Sequence, residues 1–183
     1  IGLGHIANQF ANAFSMVGNA NIKGIASLDK DKLRSFKKKF NIDERLCFSN
    51  YEDLISSPNI DIIYIALPNS LHAKYIHKSI NEKKNILVEK PALIDFKDLS
   101  VLKDSLQKEK IFFTEAFMYR YLPYFQKLKK IIETNVLGKV VNIHSTFNTK
   151  VYKQKKFFGI KIKKPDYSNR LFNKELGGGA ILD

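Results

Sequence analysis

Apolar positions recur along the chain at two spacings, and the alternation between them predicts an ordered series of strands and helices. Ile1 to Gly4 reads as the end of a strand entering a glycine turn, and His5 to Val17 carries Ile6, Phe10, Phe14 and Val17 at helical spacing. Ile22 to Leu28 predicts a second strand, Asp29 or Asp31 caps a helix from Lys32 to Phe40, and Arg45 to Phe48 is a short third strand before a brief helix at Tyr51 to Ile55. Ile60 to Leu67 is a nearly continuous apolar run, which predicts a strand buried on both faces; Pro68-Asn69-Ser70 ends it ahead of a helix from Leu71 to Glu82. Ile86 to Val88, Asp95 to Lys108 and Ile111 to Thr114 continue as strand, helix and strand. This rhythm predicts an α/β fold, a doubly wound parallel sheet covered by helices. After Pro123 the pattern changes to a helix at Tyr124 to Glu133, then through Gly138 to an alternating, half-buried strand at Val140 to Phe147, so a second domain is expected to begin near Tyr121. Lys150 to Lys174 has little periodicity and reads as a loop over a cleft.

With 183 residues, 44% of them hydrophobic, the chain is long enough to bury one domain core and part of another. It opens at Ile1-Gly2 and stops at Asp183 directly after Gly177 to Leu182, so both ends read as cut. No apolar stretch reaches the roughly 18 residues of a membrane helix, and no signal-peptide layout is visible. A soluble protein is expected. The single cysteine, Cys47, excludes an internal disulfide framework and favours a reducing, cytoplasmic setting. A formal charge of +13 raises nucleic acid as a partner. Arginine, however, is confined to Arg34, Arg45, Arg120 and Arg170, and the lysines are spread over helix faces such as Lys37 to Lys39. Solvated faces account for them, and neither nucleic acid nor membrane is expected as a partner. Within Lys150 to Lys164, lysines interleave with Tyr152, Phe157 and Phe158 and face an anionic partner or a cofactor phosphate.

Chemistry enters at the first turn. Gly2, Gly4 and Ala7 form GxGxxA between strand and helix, where glycines permit a tight turn and bring backbone amides to a pyrophosphate at the helix N-terminus. His5 and Ile6 lie inside the turn, His5 either shielding the phosphate or resting at the surface. Roughly 20 residues further on, an acidic residue ending the second strand would hold the adenosine ribose and favour NAD. Here the strand ends Ala26-Ser27-Leu28-Asp29. Ser27 takes the selecting position and does not repel a 2′-phosphate, while Lys30 and Lys32 stand near enough to attract one. NADP is therefore the expected cofactor, with NAD left open through Asp29. His77 reads as solvated, His144 as packing or interface, and Cys47 as a buried, inert thiol. No metal site is indicated.

Further along, Ile65-Ala66-Leu67-Pro68-Asn69-Ser70-Leu71-His72, Val88-Glu89-Lys90-Pro91, Glu115-Ala116-Phe117 and Gly177 to Asp183 occur in that order. The arrangement resembles the glucose–fructose oxidoreductase, inositol dehydrogenase and rhizopine-catabolism (Gfo/Idh/MocA) family. The wording EAFMYR at 115–120 is similar to its dimeric dihydrodiol dehydrogenase and NADP-dependent xylose dehydrogenase branch. The resemblance spans nearly the whole chain. It implies an NAD(P)-binding Rossmann domain over 1–120, and over 121–183 the incomplete beginning of an α/β substrate domain with an open, mostly antiparallel sheet. It also implies hydride transfer between a nicotinamide cofactor and the CH–OH group of a sugar, polyol or cyclic diol.

Carried over position by position, the resemblance sets Lys90 beside the nicotinamide ring and the substrate hydroxyl. A hydride leaves a carbinol carbon only as its hydroxyl loses a proton, and Lys90 is expected to accept, relay or orient that proton. Glu89 orients Lys90 or forms a structural ion pair, and Pro91 rigidifies the turn. Leu67, Asn69 and His72 are assigned to the cofactor, the other reading of His72 being a surface histidine at a helix start. Glu115 corresponds to a cofactor-pocket position, and Arg120 contacts cofactor or substrate or braces the two domains. Asp183 positions substrate, and a catalytic Tyr or His is expected shortly after it, so the chain by itself is expected to be inactive. Leu28 departs from NADP-using relatives, which often carry Arg there. A homo-oligomer, expected to be a dimer, forms through the second domain. The alternative reading is a non-catalytic, dinucleotide-sensing regulatory protein of the same fold, against which the retained Glu89-Lys90-Pro91 argues.

Overall fold

A computed structural model describes residues 1–95, 97–146, 152–157, 160–165 and 172–176. Helices α1 (His5–Ala13), α2 (Lys30–Phe40), α3 (Tyr51–Ser56), α4 (His72–Asn81) and α5 (Lys97–Glu109) alternate with β1 (Ile25–Ala26), β2 (Cys47–Phe48), β3 (Ile62–Ile65), β4 (Asn85–Val88) and β5 (Phe113–Glu115). β1 pairs with β2, and β3, β4 and β5 form a second ladder, all parallel. The extended residues 1–3 join the two: Gly2 N donates to Ala26 O at 3.2 Å, and Ala66 N donates to Ile1 O at 3.0 Å. The order across the sheet is thus β2, β1, residues 1–3, β3, β4, β5. Strand progression reverses between residues 1–3 and β3.

Alternation along the strands decides which helix covers which face. Leu3, Ile25, Tyr64 and Ala66 turn toward Ala7 and Ala11 of α1 and Phe36 of α2. Ile1, Ala26, Ile63, Ile65, Ile86 and Val88 turn the other way, against Leu54 and Ile55 of α3, Ile76 and Ile80 of α4 and Leu102 of α5. Parallel neighbours need such crossovers, and burying both faces yields the doubly wound fold that the pattern predicts. Caps set the helix starts. Asp29 accepts from Asp31 N and Lys32 N at the head of α2, and Asn50 accepts from Asp53 N at the head of α3. Lys37, Lys38 and Lys39 lie in the last turn of α2, where positive charge meets the negative end of the helix dipole.

Strands are shorter than the apolar runs that announced them. The run Ile22 to Leu28 is paired only at Ile25–Ala26, and Ile62 at the start of β3 is 49% exposed, so β3 is not enclosed on both faces along its whole length. Apolar character extends beyond the stretch where a partner strand offers ladder hydrogen bonds. Helix α1 ends at Ala13 and continues only as a 3-10 turn over Phe14–Met16.

Two expectations for the later residues are corrected. Residues 140–146 are exposed and form no strand; an alternating segment is held as a strand only by a neighbour's backbone groups, and among the described residues none pairs with it. Phe147 lies outside the described residues. Conversely, the stretch expected as a loop contains an antiparallel hairpin of β6 (Tyr152–Phe157) and β7 (Ile160–Pro165), with Phe157 opposite Ile160. The lysines on both strands obscure the apolar pattern in sequence, and the register is fixed by backbone pairing between the strands. Between β5 and the hairpin, α6 (Pro123–Glu133) begins with Pro123 at its first turn, where a missing N–H costs nothing. Among the described residues, no helix is long and apolar enough to cross a membrane.

Candidate active site

The carboxyl ends of the central strands carry the candidate residues on one edge of the sheet. Gly4 follows residues 1–3, Ser27 follows β1, Leu67 and Asn69 follow β3, Glu89 and Lys90 follow β4, and Glu115 ends β5. In open α/β sheets ligands bind outside this edge, at the point where strand order reverses. That point lies between Gly2–Gly4 and Leu67–Asn69.

The first turn is built by its glycines. Gly2 has φ +84°, and a Cβ there would stand 2.6 Å from Ala66 O, so only glycine lets residues 1–3 lie against the end of β3. Gly4 is the opposite case. It is exposed, nothing lies within 4 Å of where its Cβ would be, and it caps α1 without any side-chain hydrogen bond. An exposed glycine at the N-terminus of α1, with open space where a side chain would stand, fits the close approach of a pyrophosphate. His5 is exposed, Ile6 is half-buried and Ala7 is buried against the sheet.

At the end of β1, Ser27 is buried and its Oγ accepts from Asp29 N at 3.1 Å. Asp29 is occupied as the cap of α2, and its Oδ2 also sits 3.3 Å from Lys32 Nζ. The Lys32 backbone N–H is the main cause that holds the Asp29 carboxyl below its ordinary range. Leu28 is 67% exposed and Lys30 is exposed, so an apolar side chain and a lysine border this corner.

On the other side of the reversal, Asn69 is buried within the 3-10 turn Asn69–Leu71. His72 is not at the surface. It is fully buried, with Nδ1 2.7 Å from Pro91 O and Nε2 3.0 Å from Leu67 O. Whatever His72 does for a ligand, it does through the two loops it joins. Lys90 is half-buried and followed by a cis peptide to Pro91. Glu115 is half-buried, and its Oε1 accepts from Ala92 N at 2.7 Å. Arg120 stands apart, exposed on the 3-10 turn Met118–Tyr121, where its carbonyl accepts from the Gln126 side chain. Asp183 lies outside the described residues.

Comparison with known proteins decides the lineage. The family described as "Oxidoreductase family, NAD-binding Rossmann fold" (GFO_IDH_MocA) matches residues 1–117. The chain belongs to the Gfo/Idh/MocA family. It is 29% identical over 182 residues to a trans-1,2-dihydrobenzene-1,2-diol dehydrogenase of Xenopus tropicalis, covering 98% of this chain and 50% of that enzyme. It is 29% identical over 136 residues to a D-xylose 1-dehydrogenase (NADP(+)) of Hypocrea jecorina, covering 74% of this chain and 34% of that one. Among solved structures, KijD10, a 3-ketoreductase from Actinomadura kijaniata in complex with NADP and TDP-benzene, superposes with a TM-score of 0.64 at 25% identity, over 74% of this chain and 41% of that one. The chain thus spans about half the length of the Xenopus relative.

Within this Gfo/Idh/MocA domain, sequence reasoning missed Tyr64. Its hydroxyl donates to Glu89 Oε1 at 2.6 Å, and its ring lies 4.2 Å from that of Phe10 on α1. Burial first, and then Glu89, push the phenol well above its ordinary range, so it stays a donor. The signal was present: a tyrosine in an otherwise apolar strand needs a partner for its O–H. Of the residues outside the site, His77 is less solvated than its helix-face spacing suggests. His77 is half-buried on α4, and His144 Nε2 lies 3.2 Å from Thr146 Oγ1. Cys47 is half-buried rather than buried, and burial raises its thiol above the ordinary value of 9.0. Among the described residues no group of three His, Cys, Asp or Glu side chains is placed to hold a metal ion. A cavity lined by Gly2, Ala7, Phe10, Gly24, Ile60 and Ile62 runs from the amino ends of β1 and β3 along α1.

Proposed function

We propose that the protein is an NADP(H)-dependent oxidoreductase that moves a hydride between its nicotinamide cofactor and the CH–OH carbon of a sugar, polyol or cyclic diol. The observation that carries the reading is the convergence of Gly4, Ser27, Asn69, Glu89, Lys90 and Glu115 on one sheet edge at the reversal of strand order. In this reading the turn Gly2 to Ala7, with His5 and Ile6, receives the pyrophosphate, and Leu67 and Asn69 border the nicotinamide end. Ser27 and Lys30 receive the adenosine end. The absence of a free carboxylate there favours a 2′-phosphate, because Asp29 is committed to capping α2. A relative named for NADP(+) supports the same choice.

When bound, the nicotinamide accepts or supplies the hydride. Lys90 holds or moves the proton of the substrate hydroxyl, Glu89 sets its surroundings, and Asp183 orients the substrate. Arg120 sits where a second domain, beginning near Tyr121, meets the first. We place the protein in the cytoplasm as a dimer formed through that second domain, with a small-molecule substrate as its partner.

The test is direct. Titration with NADPH and NADH, read by nicotinamide fluorescence, is expected to give saturable binding that is tighter for NADPH. In the complete protein, Lys90→Met is expected to spare that binding and lower turnover by about 100-fold or more, the size of a general acid–base contribution. No change in fluorescence with either nucleotide sinks the reading. Binding without turnover of any carbinol substrate replaces it with a cofactor-sensing regulator.

A further inference from the structure

Three backbone groups and two side chains form a closed arrangement beside Lys90. His72 on α4 has Nδ1 2.7 Å from Pro91 O and Nε2 3.0 Å from Leu67 O. Glu115 on β5 accepts from Ala92 N at 2.7 Å. Pro91 O and Ala92 N belong to one peptide group. Both of its polar atoms are therefore held by ionisable side chains, and those side chains come from two different elements.

We infer that His72 and Glu115 are a pair of positioning residues that set Lys90 by gripping the Pro91–Ala92 peptide at both polar atoms, with His72 carrying a proton on each ring nitrogen. The inference rests on the role proposed above for Lys90. A carbonyl oxygen accepts and never donates, so each histidine contact is a hydrogen bond only if the facing nitrogen bears a hydrogen. A neutral ring has one such hydrogen and would turn a bare nitrogen toward a carbonyl in a site closed to water, an unpaired buried group. The doubly protonated ring satisfies both contacts. Burying a cation requires an anion nearby, and Glu115 supplies one across a single peptide group. Positive charge at the C=O and negative charge at the N–H both align with the peptide dipole, so each bond strengthens the other.

The consequence falls on Lys90. Its backbone is fixed on one side by the β3–β4 ladder, where Glu89 N donates to Ile65 O at 2.9 Å, and on the other by the gripped peptide. Without the grip, the side of Lys90 that leads into Pro91 loses these two anchors. A displacement of about 1 Å at a reacting group costs up to about 100-fold in rate.

A long-range proton–nitrogen correlation spectrum of the chain labelled with 15N-histidine, at neutral pH, reads the ring directly. The His72 signals are assigned by their loss in His72→Gln. Both nitrogens are expected to show the shifts of N–H-bearing imidazolium, and one bare nitrogen overturns the inference. Glu115→Gln keeps an acceptor for Ala92 N but removes the charge, at a half-buried position where folding is readily checked by thermal unfolding. In that variant His72 is expected to fall to a single proton, and an unchanged two-proton ring overturns the pairing. In the complete protein the same variant is expected to lower kcat by about 10- to 100-fold, with a smaller change in NADPH dissociation constant; an effect confined to KM overturns the positioning role. Failure of the unsubstituted protein to bind NADPH strikes the dehydrogenase reading instead, and the nitrogen spectrum still decides whether the clamp exists.

Discussion

Tyr64 and Glu89 are diagonal neighbours on one face of the sheet, and the phenol donates to the carboxylate at 2.6 Å. Tyr64 pairs in register with Leu87, so Glu89, two residues further along the chain and just past the end of β4, emerges on the same face. Phe10 closes over the ring from α1, linking the helix that follows the glycine turn to the residue before Lys90. Tyr64→Phe keeps the packing and removes one donor to a charged, half-buried group. A loss of about 1.5–3 kcal/mol is expected, consistent with hydrogen bonds to charged partners, measured by urea denaturation. In the complete protein turnover should fall more than NADPH binding. An unchanged unfolding midpoint would make the bond idle.

The two glycines of the first turn separate structure from ligand binding. Gly2→Ala places a methyl 2.6 Å from Ala66 O on a backbone with φ +84°. Strain of this kind is expected to destabilise the fold by about 2 kcal/mol or more. Gly4→Ala meets nothing within 4 Å and should leave thermal unfolding nearly unchanged while weakening NADPH binding, because in the proposed complex the pyrophosphate lies close against this turn. Equal effects of the two substitutions on stability would refute the distinction.

At the corner proposed for the adenosine end of the cofactor, Leu28 is 67% exposed and neighbours Lys30 in the chain. Leu28→Arg adds a planar, permanently charged group suited to a phosphate. NADPH affinity is expected to rise about tenfold, equivalent to roughly 1.4 kcal/mol, with NADH affinity little changed. Nucleotide titrations of the two proteins give the ratio, and a parallel rise for NADH would place the 2′-phosphate elsewhere.

The order of strands and helices and the glycine turn were legible in the sequence because each rests on local physics, whereas Asn69, Glu89, Lys90 and Glu115 stood out through the resemblance of their motifs to a known family. Apolar spacing marks elements, Asp29 and Asn50 mark helix starts, and glycine marks the turn that admits no Cβ. What the tertiary structure alone decided is which distant groups meet. His72 reads in sequence as a residue opening a helix, and only the packing of α4 beneath two loops brings its nitrogens to Leu67 O and Pro91 O. Tyr64 finds Glu89 through the β3–β4 register, and Glu115 finds Ala92 N through the fold of the loop after β4. Residues 140–146 alternate like a strand yet form none, whereas the lysine-rich 152–165 region pairs as a hairpin. Spacing along a chain reports how each segment can divide itself between core and water; backbone pairing and buried polar contacts depend on partners that no local pattern names.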